Sequence, residues 1–541
     1  MEACVGEAKE DGKVGGILGW VERTGNKLPD PVVIFFYLAI VLIAISVVAA
    51  LSGLSALHPT QVDSDGNPIV IVSESLLSGD NIAKFWVEMT KTFSHFHPLG
   101  YVLVVMLGAG VAERSGLFGA AMRAALGNAP KLILTPMVAL IAMIANHAAD
   151  AAYVVMIPLA GIMFHAVGRH PVAGIAAAFA GVSGGFSANI LPGQLDVLLF
   201  GITETAVDGS ALDASWTMNV AGNWWFIFAL TFIYLPVIWF VTDKIVEPRL
   251  ANTPFFNNAN EDEQEADPST ELKSEEKKGL GRAGFALLAV VGVWLLMTFA
   301  PGTPLINEAA CTVEAEQAGE CAGVQRLAPF FKSLVGGFMV LFLAAGWAYG
   351  SAVGTVKNHK DLVAMMAEGM KDMGYYLVLA FAAAHFVALF NWSNLGLIFA
   401  IHGAAGIEAS GLPLPIAMGL IVLLSATLNL FVGSASAKWA LLAPVLVPML
   451  MLLGISPEGA TAIYRVGDGA TNIITPLMVY FPLVLVFAQR WNKDFGLGSL
   501  TAMMIPYSIW MLITGLLLVV LWVFLGIDMG PGAPTAYALP K

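Results

Sequence analysis

The chain reads as an all-α polytopic membrane protein, with nine transmembrane helices plus two re-entrant hairpins in an inverted-topology repeat. Three observations carry this expectation. The composition is 57% hydrophobic and 12% charged over 541 residues, which excludes a water-soluble globule. Many apolar runs approach the ~20 residues that cross a bilayer. Finally, two stretches repeat the same landmarks in the same order. Residues 98–192 carry Gly100-Tyr101, Asp150 with Pro158 eight residues on, Pro171, and Asn189-Ile190-Leu191-Pro192. Residues 374–476 carry Gly374-Tyr375, Ser436 with Pro444 eight residues on, Pro457, and Asn472-Ile473-Ile474-Thr475-Pro476. Pro and Asn interrupting apolar segments at matching places in two halves is the sequence pattern of a secondary transporter.

In chain order, residues 1–29 are expected as a cytoplasmic tail, because Lys9, Lys13, Arg23 and Lys27 lead into no apolar core with a small-residue cleavage site. Spans follow at 30–53, 97–126, 171–207, 221–246, 283–300, 330–352, 373–405, 456–490 and 502–527. The first repeat is then 30–246 and the second 330–527. Between them lie a cytoplasmic linker at 247–282, a connecting span at 283–300 and an external loop at 301–329; an external tail at 528–541 closes the chain. Two further apolar segments, 131–165 and 413–452, have polar centres: Asn146, His147 and Asp150 in one, Ser434, Ser436 and Lys438 in the other. Each is either two full spans with a tight turn or a hairpin ending near mid-membrane. Short arms favour the hairpin, since irregular backbone at that depth is tolerated where it lines a polar cavity.

Charge placement sets the orientation. With the N-terminus inside, most of the 26 Lys and Arg fall in cytoplasmic segments, and the external side keeps Lys84, Lys91, Arg326, Lys332 and Lys541. The net charge of −13, much of it in 261–276, argues against nucleic acid as a partner. Cys311 and Cys321 share the external loop; they are either a disulfide, if that side is oxidising, or two free thiols. No Walker loop points to ATP drive, and no Gly-x-Ser-x-Gly or His-Glu-x-x-His motif points to an intramembrane hydrolase. The expected molecule is therefore not an enzyme and has no cofactor beyond a coupling ion.

Polar groups inside a membrane are costly, so each implies a partner or a role. Gly184, Gly185, Pro192 and Gly193 break the third span around Asn189. The freed carbonyls, with Asn146, Asn189 and Asn472, suit Na+; the freed N–H end suits a substrate carboxylate. Arg465 and Asp468, three residues apart, can share a helix face and pair. Such a pair either only neutralises two buried charges or acts in transport. Asn391, Trp392 and Asn394 interrupt the seventh span, and the weaker run Glu113-Arg114-Ser115-Gly116 interrupts the second. Trp392 offers a flat face to an aromatic substrate or, alternatively, anchors the span at the interface. Asp150, Asp196 and Asp468 are the candidate proton carriers. Pro192, Pro457 and Pro476 are the structural breaks, and Ser434 and Ser436 complete the candidate binding set.

Four runs resemble the aminobenzoyl-glutamate transporter (AbgT) family: 146–158, 187–196, 433–444 and 464–476. The resemblance covers about residues 15 to 527. It implies an architecture similar to the divalent anion/sodium symporters, a homodimer in the bacterial inner membrane, and transport of p-aminobenzoyl-glutamate and related folate-pathway molecules or export of sulfonamide antimetabolites. It further implies roles for Asp196, Trp392, Arg465, Asp468 and Pro457. The expected substrate is thus an aromatic carboxylate or sulfonamide, moved by alternating access on an H+ or Na+ gradient. A sodium-coupled dicarboxylate symporter of the same architecture is the alternative.

Overall fold

Helix boundaries follow from the residues that flank them. The structure, a computed structural model, describes residues 30–62, 67–126, 130–148, 152–210, 212–213, 216–251, 272–300, 302, 304–307, 326–475, 478 and 480–539. The tail 1–29, Asp150, Cys311, Cys321 and Pro476 lie outside the described residues. Helix α1 (Pro31–Ser52) opens on Asp30, whose carboxylate accepts from the Val32 N–H at 2.8 Å, and closes on Gly53 at φ 69. Glycine takes that left-handed turn without steric cost. The 22 residues of α1 reach about 33 Å, enough for the ~30 Å apolar layer.

Past α1 the chain departs from the expected plan. An antiparallel ribbon, β1 (Ser55–Val62) and β2 (Pro68–Val72), stands where no structure was expected, so the molecule is mostly helical rather than all-α. Helix α2 (Gly79–Ser94) follows, capped by Ser78, which accepts from Asn81 N–H. Half its residues are polar, so no span-length apolar run marked it. The segment 97–126 is two helices, α3 (His97–Arg114) and α4 (Leu117–Leu126), parted at Gly116 with φ 90, at the interruption the sequence suggested.

Short helices come next: α5 (Leu134–Ala145), α6 (Ile157–Ala166), α7 (Pro171–Phe179) and α8 (Gln194–Ser210). Helix α9 (Trp224–Val241) continues through a widened turn into α10 (Glu247–Leu250). Arg169, between α6 and α7, reaches Asp243 and Glu247 at 2.5 Å and Thr135 at 2.7 Å. It ties the start of α5 to the end of α9. Helices α11 (Ser274–Phe299) and α12 (Ala328–Val353) pack on each other, α12 also on α3 and α11 on α4. The outer face of α11 leaves Phe285, Leu288, Leu296 and Phe299 exposed, a surface suited to lipid tails rather than water.

The second half opens with the amphipathic α13 (His359–Asp372), capped by Asn358 and Asp361, also unexpected. Helices α14 (Gly374–Trp392) and α15 (Leu395–Ala409) meet at Asn394, whose φ of 60 makes it the one left-handed non-glycine among the described residues. Then come α16 (Leu414–Asn429), α17 (Ala435–Leu452), α18 (Pro457–Asn472), α19 (Phe481–Gln489) and α20 (Leu497–Leu525). Among the described residues eight helical stretches are long and apolar enough to cross a membrane, and five apolar helices are only 10–17 residues. At 1.5 Å per residue the latter reach about 15–26 Å, too short to cross ~30 Å alone.

The matched spacing of the two halves recurs in the packing. Pro158, Pro171 and Gly181 stand at the same separation from Pro444, Pro457 and Gly467, and the two glycines do the same work. A Cβ on Gly181 would lie 2.5 Å from Ala142 Cβ in α5; one on Gly467 would lie 2.3 Å from the Val422 carbonyl in α16. Each broken helix therefore lies directly on its neighbouring short helix. The two halves meet where Gly469 of α18 faces the Gly184 carbonyl and Ser187.

Candidate functional site

Residues 180–187 widen from α-helical to π and then 3-10 turns, and 188–193 run without helix through Pro192 and Gly193 before α8 restarts. The restart is capped by Asp196, whose Oδ2 accepts from the Gly193 N–H at 2.7 Å; a carboxylate is favoured at that positive helix end. Its Oδ1 accepts from Arg465 Nη1 at 2.7 Å.

Helix α18 carries Glu458, Arg465, Asp468, Thr471 and Asn472, yet all of its 16 residues are buried. A helix with such a polar face survives inside a protein only if that face lines an interior polar site. Lys438, one turn into α17, forms an ion pair with Asp468; their side chains are 1% and 0% exposed. Lys438 Nζ also donates to Asn429 Oδ1 at 2.7 Å. Asn429 Nδ2 in turn faces the Asp468 carbonyl at 2.7 Å and Asn472 Oδ1 at 3.3 Å.

The expected pairing of Arg465 with Asp468 is therefore corrected. Both stand on one helix, as the spacing required, but each is drawn to an opposite charge from another element: Arg465 to Asp196 of α8, Asp468 to Lys438 of α17. Helix α18 runs unbroken through Asn472 and stops only at 473–475. Two cations and two carboxylates thus neutralise each other crosswise in a buried space, and removing one member strands its partner.

An aromatic surface flanks these pairs. Trp439 stacks on Tyr464 with centroids 4.4 Å apart and planes 24° apart, and its indole N–H donates to Thr203 Oγ1 at 2.9 Å. The Tyr464 hydroxyl lies 2.6 Å from the Ala435 carbonyl and 3.3 Å from Asp468 Oδ1. Sequence reasoning chose Trp392 for this role. Trp392 ends α14, with Lys84 Nζ 5.0 Å over its ring. Its neighbours bind elsewhere: Asn394 Nδ2 donates to the Val72 carbonyl at 3.0 Å, and Asn391 packs on Gly209 at the end of α8. No described contact joins Trp392, Asn391 or Asn394 to Arg465.

The first-half polar groups converge separately. Asn146 and Asn189 both donate to the Met143 carbonyl, at 3.0 and 3.1 Å. Asn189 also meets His147 Nδ1 at 3.2 Å, and its Oδ1 accepts from Ile190 N–H. Asn472 belongs to the Asn429 cluster, so the three asparagines proposed around Na+ fall into two groups. Ser434 caps α17, accepting from the Ala437 N–H, and stands 3.4 Å from Ser436. Pro457 is the first residue of α18 behind its Ser456 cap, and Pro192 lies in the extended link. Asn429, Trp439, Tyr464 and Glu458 were not singled out from sequence. Trp439 had a signal, since it adjoins Lys438 in the repeated tip motif; Asn429 sits in an apolar run that reads as plain helix arm.

The comparisons agree with this architecture. A family model described as "AbgT putative transporter family" matches residues 16–537. The p-aminobenzoyl-glutamate transport protein of Escherichia coli strain K12 is 37% identical over 519 residues, covering 96% of each chain. The Alcanivorax borkumensis YdaH transporter superposes with a TM-score of 0.83 at 38% identity, over 93% of this chain and 100% of that one. Neisseria gonorrhoeae MtrF, whose structure is described as illuminating a class of antimetabolite efflux pumps, gives 0.85 at 40% identity, over 96% and 100%. The chain belongs to the AbgT family of membrane transporters, which are not enzymes.

Proposed function

We propose that this chain is a secondary active transporter of p-aminobenzoyl-glutamate and related folate-pathway or sulfonamide antimetabolites, working by alternating access on an H+ or Na+ gradient. The observation that carries the reading is the pair of crossed ion pairs, Arg465 with Asp196 and Lys438 with Asp468, buried around α18. A substrate carboxylate can replace either aspartate on its cation, and the ring can slide against Trp439 and Tyr464. The names of the relatives supply the substrate class. The shortness of α5, α6 and α16 supports reading 131–165 and 413–452 as re-entrant hairpins within a nine-span plan and repeats at 30–246 and 330–527. In this reading the molecule is a homodimer of the bacterial inner membrane with its N-terminus in the cytoplasm.

Exchange assays test the reading. In proteoliposomes loaded with unlabelled p-aminobenzoyl-glutamate, labelled p-aminobenzoyl-glutamate should enter, while loading with succinate should drive none. Exchange with succinate alone would move the protein to the dicarboxylate class. Imposing H+ and Na+ gradients separately then identifies the coupling ion.

A further inference from the structure

Beside the Arg465–Asp196 pair lies a small cavity of ≈ 20 Å³ whose lining includes Asn219, Asn223, Glu458, Thr461, Arg465 and Asp196. Glu458, the second residue of α18, is 2% exposed, and neither of its carboxylate oxygens makes a hydrogen bond. Its own main-chain N–H and the Trp216 indole lie close enough to act on it but outside hydrogen-bond geometry. Gly222 makes room for its side chain, since a Cβ there would stand 2.8 Å from Glu458 Cγ. An ionised carboxylate in this position would be both desolvated and unpaired, a state buried carboxylates avoid by pairing or by binding a proton.

The surroundings specify which. The amide groups of Asn219 and Asn223 are oriented by their donors: Asn219 Nδ2 binds the Pro531 carbonyl and Asn223 Nδ2 the Glu458 carbonyl, both at 2.9 Å. Their oxygens are left buried without a donor. A carboxylate and two bare amide oxygens make the site rich in acceptors, and a carboxylic acid O–H supplies a donor to the amide oxygens, directly or through one water. A metal cation would meet the unpartnered Arg465 Nε–H in the same cavity. The charged groups facing Glu458 are Arg465 from its own helix and Asp196 from α8. Beyond Trp216 lie Tyr537, stacked edge-on at 5.2 Å, and Asp213, which accepts from Tyr537. With Arg465, Lys438, Asp196 and Asp468 balanced, Glu458 is the fifth ionisable group and the one with no opposite charge of its own.

We propose that Glu458 is a proton-binding site, holding next to the Arg465–Asp196 pair a proton that is exchanged during transport. The proton occupies a carboxylate oxygen while Asp196 keeps the guanidinium. On its release the Glu458 carboxylate becomes a second acceptor for Arg465 and frees Asp196. This rests on the ion-coupled transport reading above, and the test separates the two.

The full-length protein and its Glu458→Gln variant, which mimics the protonated acid, are placed in proteoliposomes containing a pH-sensitive dye. Wild type should exchange labelled p-aminobenzoyl-glutamate and move protons on substrate addition; the variant should still exchange but lose proton movement and ΔpH-driven accumulation by about tenfold or more. Proton movement equal to wild type would overturn the proposal, whereas absence of exchange in wild type would overturn the transport reading. An infrared titration needs no substrate and covers a variant that fails to assemble. Wild type at neutral pH should show a buried carboxylic-acid absorbance that Glu458→Asp shifts. If wild type shows none, Glu458 carries no proton and the proposal is lost.

Discussion

Arg465 of α18 binds Asp196 of α8, 269 residues away, at 2.7 Å, and not Asp468 one turn along its own helix. The contact joins α18 to α8 through charge in a place where water screens it little. Double-mutant cycles on thermal stability in detergent should therefore give couplings of ~1–3 kcal/mol for Arg465 with Asp196 and for Lys438 with Asp468. The cycle between Arg465 and Asp468 should give a smaller value than either. A larger one would return the pairing to the spacing in the sequence.

Gly181 and Gly467 should tolerate no side chain. Adding a methyl group forces it to 2.5 Å from Ala142 Cβ or 2.3 Å from the Val422 carbonyl, and overpacking of that kind costs ~1–3 kcal/mol. Gly181→Ala and Gly467→Ala should each lower the melting temperature. Gly406→Ala, with open space around it, should match wild type within ~0.5 kcal/mol.

The two tryptophans should separate cleanly. Trp439→Phe keeps the stack on Tyr464 but removes the donor to Thr203, costing ~1 kcal/mol and lowering substrate flux. Trp392→Phe replaces one ring face over Lys84 by another and should change neither. The opposite order in an uptake assay would restore Trp392 as the ring contact.

Asn189→Ala and Asn472→Ala should each abolish uptake while leaving the protein assembled. Asn189 joins the Met143 carbonyl and His147 to the broken third span, and Asn472 accepts from Asn429. Size-exclusion profiles like wild type with no uptake are the expected outcome. Normal uptake in both variants would detach the paired breaks from transport.

Much of this was legible in the chain because breaks announce themselves locally. Gly184, Gly185, Pro192 and Gly193 cannot sit in one regular helix, and the Asn-Trp-Ser-Asn run marked the turn at Asn394. The repeat itself was visible in Pro158 and Pro171 against Pro444 and Pro457. What failed was tertiary. Spacing put Arg465 and Asp468 on one face correctly, but only the fold brings Asp196 and Lys438 closer. Hydropathy also cannot rank the depth of two tryptophans that both adjoin polar clusters, so Trp439 was not singled out beside Trp392. Helices α2 and α13 escaped because half their residues are polar, and β1 and β2 because a short ribbon leaves too brief an alternation to read beside apolar spans.

In the function proposed above, the crossed ion pairs act in transport rather than in stability alone. Arg465→Ala alone should be harmful either way, since it strands Asp196 at a cost of ~3–5 kcal/mol. The decisive measurement is uptake by the double variant Arg465→Met with Asp196→Leu, reconstituted at a protein density matched to wild type. Removing both charges leaves none unpaired, so the variant should be as stable as wild type. The expected result is an assembled protein with no uptake of labelled p-aminobenzoyl-glutamate; an assembled double variant transporting at the wild-type rate would leave the pair no role in transport.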